Sequence, residues 1–148
     1  MTVALSRPVP PDVPFERLTI ELPDGYQTEA HVYAPPAGEA RPRRDPVVYL
    51  HGIQSHPGWF SGSAAALARA GHCVLMPTRR GSGANSAARG DSPSAEALLD
   101  DLAACCRFAV GRFDGPRVRL VGVSWGGKLA AAFCARGCRG VEVASLTM

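Results

Sequence analysis

A chain of 148 residues is long enough for one domain with a buried core and short for a complete enzyme built of alternating strands and helices. Hydrophobic residues make up 46% and charged residues 20%, proportions that exclude wholesale disorder. The net charge of +3 comes from 15 Arg and a single Lys, Lys128, scattered without a basic helix or an aromatic-interleaved stripe, so the chain does not read as a nucleic-acid binder.

Residues 1–14 hold Pro8, Pro10, Pro11 and Pro14 where a signal peptide would need an apolar block, and they read as an extended lead-in. No run reaches membrane-span length, so a cytoplasmic protein is expected. Phe15 to Leu22 and Tyr26 to Tyr33 alternate as half-buried strands do, and Pro23-Asp24-Gly25 between them supplies turn chemistry for an antiparallel hairpin. Pro35 to Pro46 reads as an exposed loop.

Pro46-Val47-Val48-Tyr49-Leu50, ending in His51-Gly52, is a continuous apolar run of the kind buried on both faces of a parallel sheet. A helix is expected from near Trp59 to Ala70 and a second buried strand over His72 to Pro77. A glycine- and serine-rich loop follows over Thr78 to Asp91. Ser92-Pro93 supplies an N-cap and first-turn pair for a helix whose Ala95, Leu98, Leu99, Leu102, Cys106 and Ala109 share one face. Gly111 to Pro116 is read as a turn. Val118 to Val121 and Val141 to Leu146 are the last two buried strands, with a helix over Lys128 to Arg136, stopped by Gly137, between them. Repeated strand–helix units after a hairpin define an α/β fold, a mostly parallel sheet with helices on both faces.

The five cysteines are odd in number and lack metal-ligand or paired spacing, so they read as small buried residues in a reducing compartment. The four histidines form no cluster with them, and neither a metal nor a cofactor is expected.

Chemistry concentrates at Gly122-Val123-Ser124-Trp125-Gly126-Gly127, where an apolar strand breaks into G-x-S-x-G and then into helix. A serine at such a bend has its hydroxyl clear of neighbouring backbone, Gly122 and Gly126 lack the Cβ atoms that would clash, and the helix dipole favours negative charge at the same spot.

Together with Leu50-His51-Gly52-Ile53-Gln54-Ser55-His56 and Arg79-Arg80-Gly81-Ser82-Gly83-Ala84-Asn85-Ser86, this segment resembles successive landmarks of the α/β-hydrolase fold. The likeness is to its lysophospholipase, monoacylglycerol-lipase and serine-aminopeptidase branch. It spans about residue 15 to residue 148 and implies that Ser124 is the nucleophile, with the backbone N–H groups of Ile53 and Trp125 forming the oxyanion hole. One such donor is worth about 3 kcal/mol of barrier in well-studied enzymes. His51 would brace the loop without transferring protons, and His56 would be a surface loop residue in preference to lining the acyl pocket. Thr78 stands where relatives commonly carry an Asp, a departure that bears on the stiffness of the loop more than on chemistry.

In that family the acid and the histidine follow the serine, yet His31, His51, His56 and His72 all precede Ser124. Asp91, Asp100, Asp101 and Asp114 are also upstream and read as helix and turn surfaces. The expectation is therefore the N-terminal part of a serine hydrolase, residues 15–148 forming a truncated domain. It would act on a small-molecule ester or amide through acyl-Ser124, and weakly or not at all alone. The alternative is a non-catalytic remnant or interaction module that meets a C-terminal half, or a second copy, through an apolar edge strand at Val141 to Leu146.

Overall fold

The computed structural model describes residues 8–38 and 44–148, so part of the lead-in and part of the expected loop over 35–46 lie outside the described residues. Six strands form one sheet in the order β1-β2-β4-β3-β5-β6, comprising β1 (Phe15–Glu21), β2 (Gln27–Tyr33), β3 (Val47–Leu50), β4 (Val74–Pro77), β5 (Val118–Gly122) and β6 (Val143–Thr147). The hairpin expectation holds: β1 pairs antiparallel with β2 from Phe15 opposite Tyr33 to Glu21 opposite Gln27. Gly25, at φ 83, makes its turn.

β2 also pairs antiparallel with β4, and from there β4, β3, β5 and β6 run parallel. Every residue of β3 and of β4 is buried, as their uninterrupted apolar runs require of strands covered on both faces.

Helices close the two faces unequally. α2 (Ala95–Phe113) and α3 (Trp125–Ala135) cover one face, burying Leu99, Leu102, Cys105, Cys106, Ala130 and Phe133 with Ile20, Val48, Leu75 and Leu120. The other face is covered by α1 (Ser61–Arg69), which contributes Ala64, Ala65 and Ala68 against Tyr33, Val47, Tyr49 and Met76.

Several boundaries differ from those read in the sequence. The segment after the glycine-rich loop is capped by Ser94, whose Oγ accepts from the Ala97 N–H at 3.0 Å; Ser92 instead donates to the Ser94 carbonyl at 3.0 Å. Gly111 lies inside α2, which ends only where Asp114 turns left-handed at φ 52. α3 begins at Trp125 rather than Lys128, because the bend at Ser124 already sets the following backbone in helical register. A 3-10 turn over Gly137–Gly140 delays β6 to Val143, while Gly137, at φ 78, stops α3 as expected.

The five cysteines are free thiols, and burial pushes the Cys105 thiol up to about 12. Among the described residues no helix is long and apolar enough to cross a membrane.

Candidate active site

β5 leads directly into the bend. Ser124 has φ 54 and ψ −117, and the Gly126 N–H donates to the Val123 carbonyl at 2.9 Å, which makes Ser124 the first central residue of a type II′ turn. A non-glycine side chain there is strained by roughly 1–3 kcal/mol, and such strain persists only where the surroundings enforce it. The surroundings are two glycines. A Cβ on Gly122 would lie 2.5 Å from the Gly127 Cα, and one on Gly126 would lie 2.5 Å from the Leu50 oxygen and 2.6 Å from that of His51. Ser124 itself is exposed at the C-terminal end of the sheet.

The loop after β3 comes to the same place. A Cβ on Gly52 would sit 3.4 Å from the Ser124 Cβ and 3.4 Å from the Val123 oxygen, so Gly52 lies directly against the bend. The Gly52 carbonyl accepts from His51 Nδ1 at 2.8 Å and from Ser55 Oγ at 2.9 Å. Because a trans peptide directs its N–H opposite its carbonyl, these two donors also fix the Ile53 N–H, turned away from His51 and Ser55. Trp125 is the first residue of α3, so its N–H is among those that lack an intrahelical acceptor.

His51 uses both ring nitrogens within this frame. The Arg79 N–H donates to Nε2 at 3.0 Å, which leaves the proton on Nδ1 for Gly52. Burial, with the nearby Arg79 charge, pushes the imidazole down to about 4. It is a neutral, fully engaged ring. His56 is half-buried in the loop, its Nδ1 accepting from the Gly58 N–H at 3.2 Å to cap a short 3-10 turn. His31 is buried and pairs with Glu29, and His72 Nδ1 meets the Asp45 carbonyl. Among the described residues no histidine is hydrogen-bonded to Ser124.

The glycine-rich loop, which opens on Thr78, is tied to its surroundings by side-chain hydrogen bonds. Asn85 Nδ2 donates to Thr28 Oγ1 at 2.7 Å, to the Thr78 carbonyl at 3.0 Å and to the Arg79 carbonyl at 3.1 Å, and its Oδ1 accepts from the Glu29 N–H at 3.1 Å. Arg80 is buried and forked onto Asp101 by two bonds of 2.7 Å, with Asp24 at 2.8 Å. Asp101 is therefore not the helix-surface residue read from sequence. An aspartate 15 residues beyond the nearest motif carries no signal that a neighbouring loop will bury an arginine on it. Leu50, His51, Arg79, Asp101, Trp125 and Leu129 help to line a narrow cavity of ≈ 40 Å³ beneath this loop.

The fold is that of an α/β hydrolase, and specifically of its N-terminal part. The chain belongs to the hydrolase family described as serine aminopeptidase, S33, which matches residues 41–146. It is 38% identical over 81 residues to a carbendazim-hydrolysing esterase of Nocardioides sp. (strain SG-4G), a match that covers 54% of this chain and 31% of that protein.

Solved structures with the same fold include a hypothetical protein of Pseudomonas aeruginosa, with a TM-score of 0.77 at 19% identity over 98% of this chain and 48% of that one. A thermostable carboxyl esterase from Bacillus coagulans superposes with a TM-score of 0.70 at 19% identity, over 86% of this chain and 42% of that one. An α/β hydrolase from Novosphingobium aromaticivorans gives 0.64 at 23% identity, over 91% and 43%. The chain thus spans about a third of the curated relative and less than half of these structures.

Proposed function

We propose that this chain is the nucleophile-bearing part of a hydrolase of carboxylic esters, with amides as a second substrate class. Ser124 Oγ attacks the carbonyl carbon as its proton passes to an acceptor outside the described residues, which then delivers it to the leaving oxygen. The oxyanion that forms is held by the N–H groups of Ile53 and Trp125, and its collapse expels the alcohol and leaves acyl-Ser124 for water to hydrolyse. His51 is a positioning residue that holds the Gly52–Ile53 peptide, since neither of its nitrogens is free to take a proton.

The observation that carries this reading is Ser124 at φ 54 in the turn between β5 and α3, with Gly52 against it. The match to an esterase over 81 residues supports ester chemistry. The proton acceptor comes, in this reading, from outside the described residues, in keeping with the share of its relatives that the chain spans. Five free thiols accord with a reducing, cytoplasmic setting.

A fluorophosphonate ester reports on the serine directly. The expected result is a single adduct on Ser124, lost in Ser124→Ala, with slow p-nitrophenyl acetate turnover that disappears in the same variant. Turnover that survives Ser124→Ala, or an absence of adduct even when a downstream half from a relative is supplied, sinks the reading.

One observation favours a second reading. β6 is the outermost strand, and Val143 to Leu146 are only half-buried, as a sheet edge used for pairing with another chain would be. A chain that never labels at Ser124 yet binds a partner through β6 is that interaction module.

A further inference from the structure

Two consecutive arginines open the glycine-rich loop, and the fold treats them in opposite ways. Arg80 is neutralised by Asp101 and Asp24 and rests on the Tyr26 ring. The guanidinium carbon of Arg79 lies 4.5 Å from the centroid of the Trp125 ring, and its Nη2 donates to the uncharged Ser82 Oγ at 2.7 Å. Its Nη1 is buried and meets no acceptor among the described residues. Among those residues no carboxylate pairs with Arg79, and Asp101, which shares the cavity wall with it, is committed to Arg80.

A half-buried cation without a counter-ion costs stability, and folds retain such groups where their charge is used. Burial alone sets the direction in which its pKa moves, downward, with no acidic neighbour drawing it up.

The place of this charge is specific. Its backbone N–H holds His51, whose ring holds the Gly52–Ile53 peptide, and its side chain covers the ring of the residue that follows Ser124. A positive field at half-buried depth beside the bend is screened much less than one on open surface.

We propose that Arg79 is a charge-selecting residue of this site, one that favours substrates with a neutral or anionic group near the scissile bond and disfavours those with a free ammonium. This rests on the reading of Ser124 as the nucleophile. It also divides the chemistry implied by the family's description: an aminopeptidase must admit the protonated amino terminus of a peptide, and Arg79 repels that group.

The test separates binding from catalysis. In the full chain carrying Ser124→Ala and Trp59→Phe, Trp125 is the remaining tryptophan of the two, and its fluorescence reports occupancy. Monomethyl glutarate, methyl 4-aminobutyrate and methyl pentanoate present a carboxylate, an ammonium and a methyl group at matched length. The glutarate ester is expected to bind about tenfold more tightly than the ammonium ester at low salt, with the preference shrinking at high salt. In Arg79→Gln the preference should fall to within about twofold, and in Arg79→Lys most of it should remain.

Equal affinities for the two charged esters, no detectable binding of any of them, or a preference that survives Arg79→Gln in a protein with unchanged circular dichroism overturns the proposal. Labelling of wild-type Ser124 by an uncharged fluorophosphonate is measured separately. Labelling without charge preference removes only the role of Arg79, whereas charge preference without labelling removes the catalytic reading.

Discussion

At Gly126 the clearance is set by backbone alone, since the atoms that a methyl would meet at 2.5 and 2.6 Å are the carbonyl oxygens of Leu50 and His51. No side chain can swing aside to make room. Gly126→Ala must therefore push α3 off the end of β3, and a loss of about 2–4 kcal/mol is expected in urea denaturation. Unchanged stability would mean that the packing of α3 on β3 is looser than these distances state. The neighbouring His51 makes a prediction in pH. An unfolded imidazole takes up its proton near 6.5, while buried His51 does so only near 4, so between those values the unfolded chain binds more protons than the folded one. Its stabilising contribution is complete above about pH 6.5 and drains as pH falls towards 4, by about 3 kcal/mol in all. Denaturation midpoints taken from pH 7 down to pH 4 should fall more steeply for wild type than for His51→Gln. Parallel slopes would show that the folded state carries a protonated His51, and the neutral ring bridging Gly52 and Arg79 would have to be abandoned.

Between elements, the glycine-rich loop is held near its start by polar side chains. Arg80, with its side chain 3% exposed, ties the loop to Asp101 of α2 and to Asp24 of the β1–β2 turn. Removing one partner of a buried pair leaves a charge uncompensated, so Asp101→Ala should cost about 3 kcal/mol, the low end for such pairs because Asp24 remains. It should also loosen the Arg79 amide that holds His51, which a faster exchange of that amide in deuterated solvent would reveal. The loop's existence was legible in its glycines and serines, and the buried strands were legible as unbroken apolar runs such as Val47 to Leu50. The bend at Ser124 could be read because only glycines fit on either side of it. What the chain does not spell out is which strand lies beside which: β2 meets β4 although β3 separates them in sequence, and no local pattern encodes that choice. The start of α2 at Ser94 rather than Ser92 likewise turned on which of two serines had its hydroxyl beneath a free N–H. Arg79 and Arg80 look alike in sequence, and only the carboxylates brought in from α2 and the β1–β2 turn distinguish them.

Over the whole molecule, the two faces of the sheet differ in how much apolar area holds their helices. α2 buries Leu99, Leu102, Cys105 and Cys106, and α3 buries Phe133, whereas the apolar side chains that α1 buries are all alanines, Ala64, Ala65 and Ala68. Since burial contributes roughly 25 cal/mol per Å² of apolar surface, a helix anchored by three methyl groups and the half-buried Leu67 opens at lower cost than helices anchored by buried leucines and a phenylalanine. α1 is also the direct continuation of the loop that bears Ile53, through the short 3-10 turn Pro57–Phe60, while Ser124 and Trp125 belong to the face held by α2 and α3. In the proposed reaction, then, one oxyanion donor lies on the firm half of the fold, while the loop that carries the other is pinned at Gly52 by His51 and Ser55 and runs on from there into the labile half. Hydrogen exchange by mass spectrometry checks this. Peptides covering residues 53–69 should exchange at least about tenfold faster than those covering residues 99–109 and 126–135, a gap equivalent to roughly 1.4 kcal/mol of opening free energy. A uniform protection pattern would mean that the sheet and all three helices open as one unit, and the division of the site between a firm and a labile half would be lost.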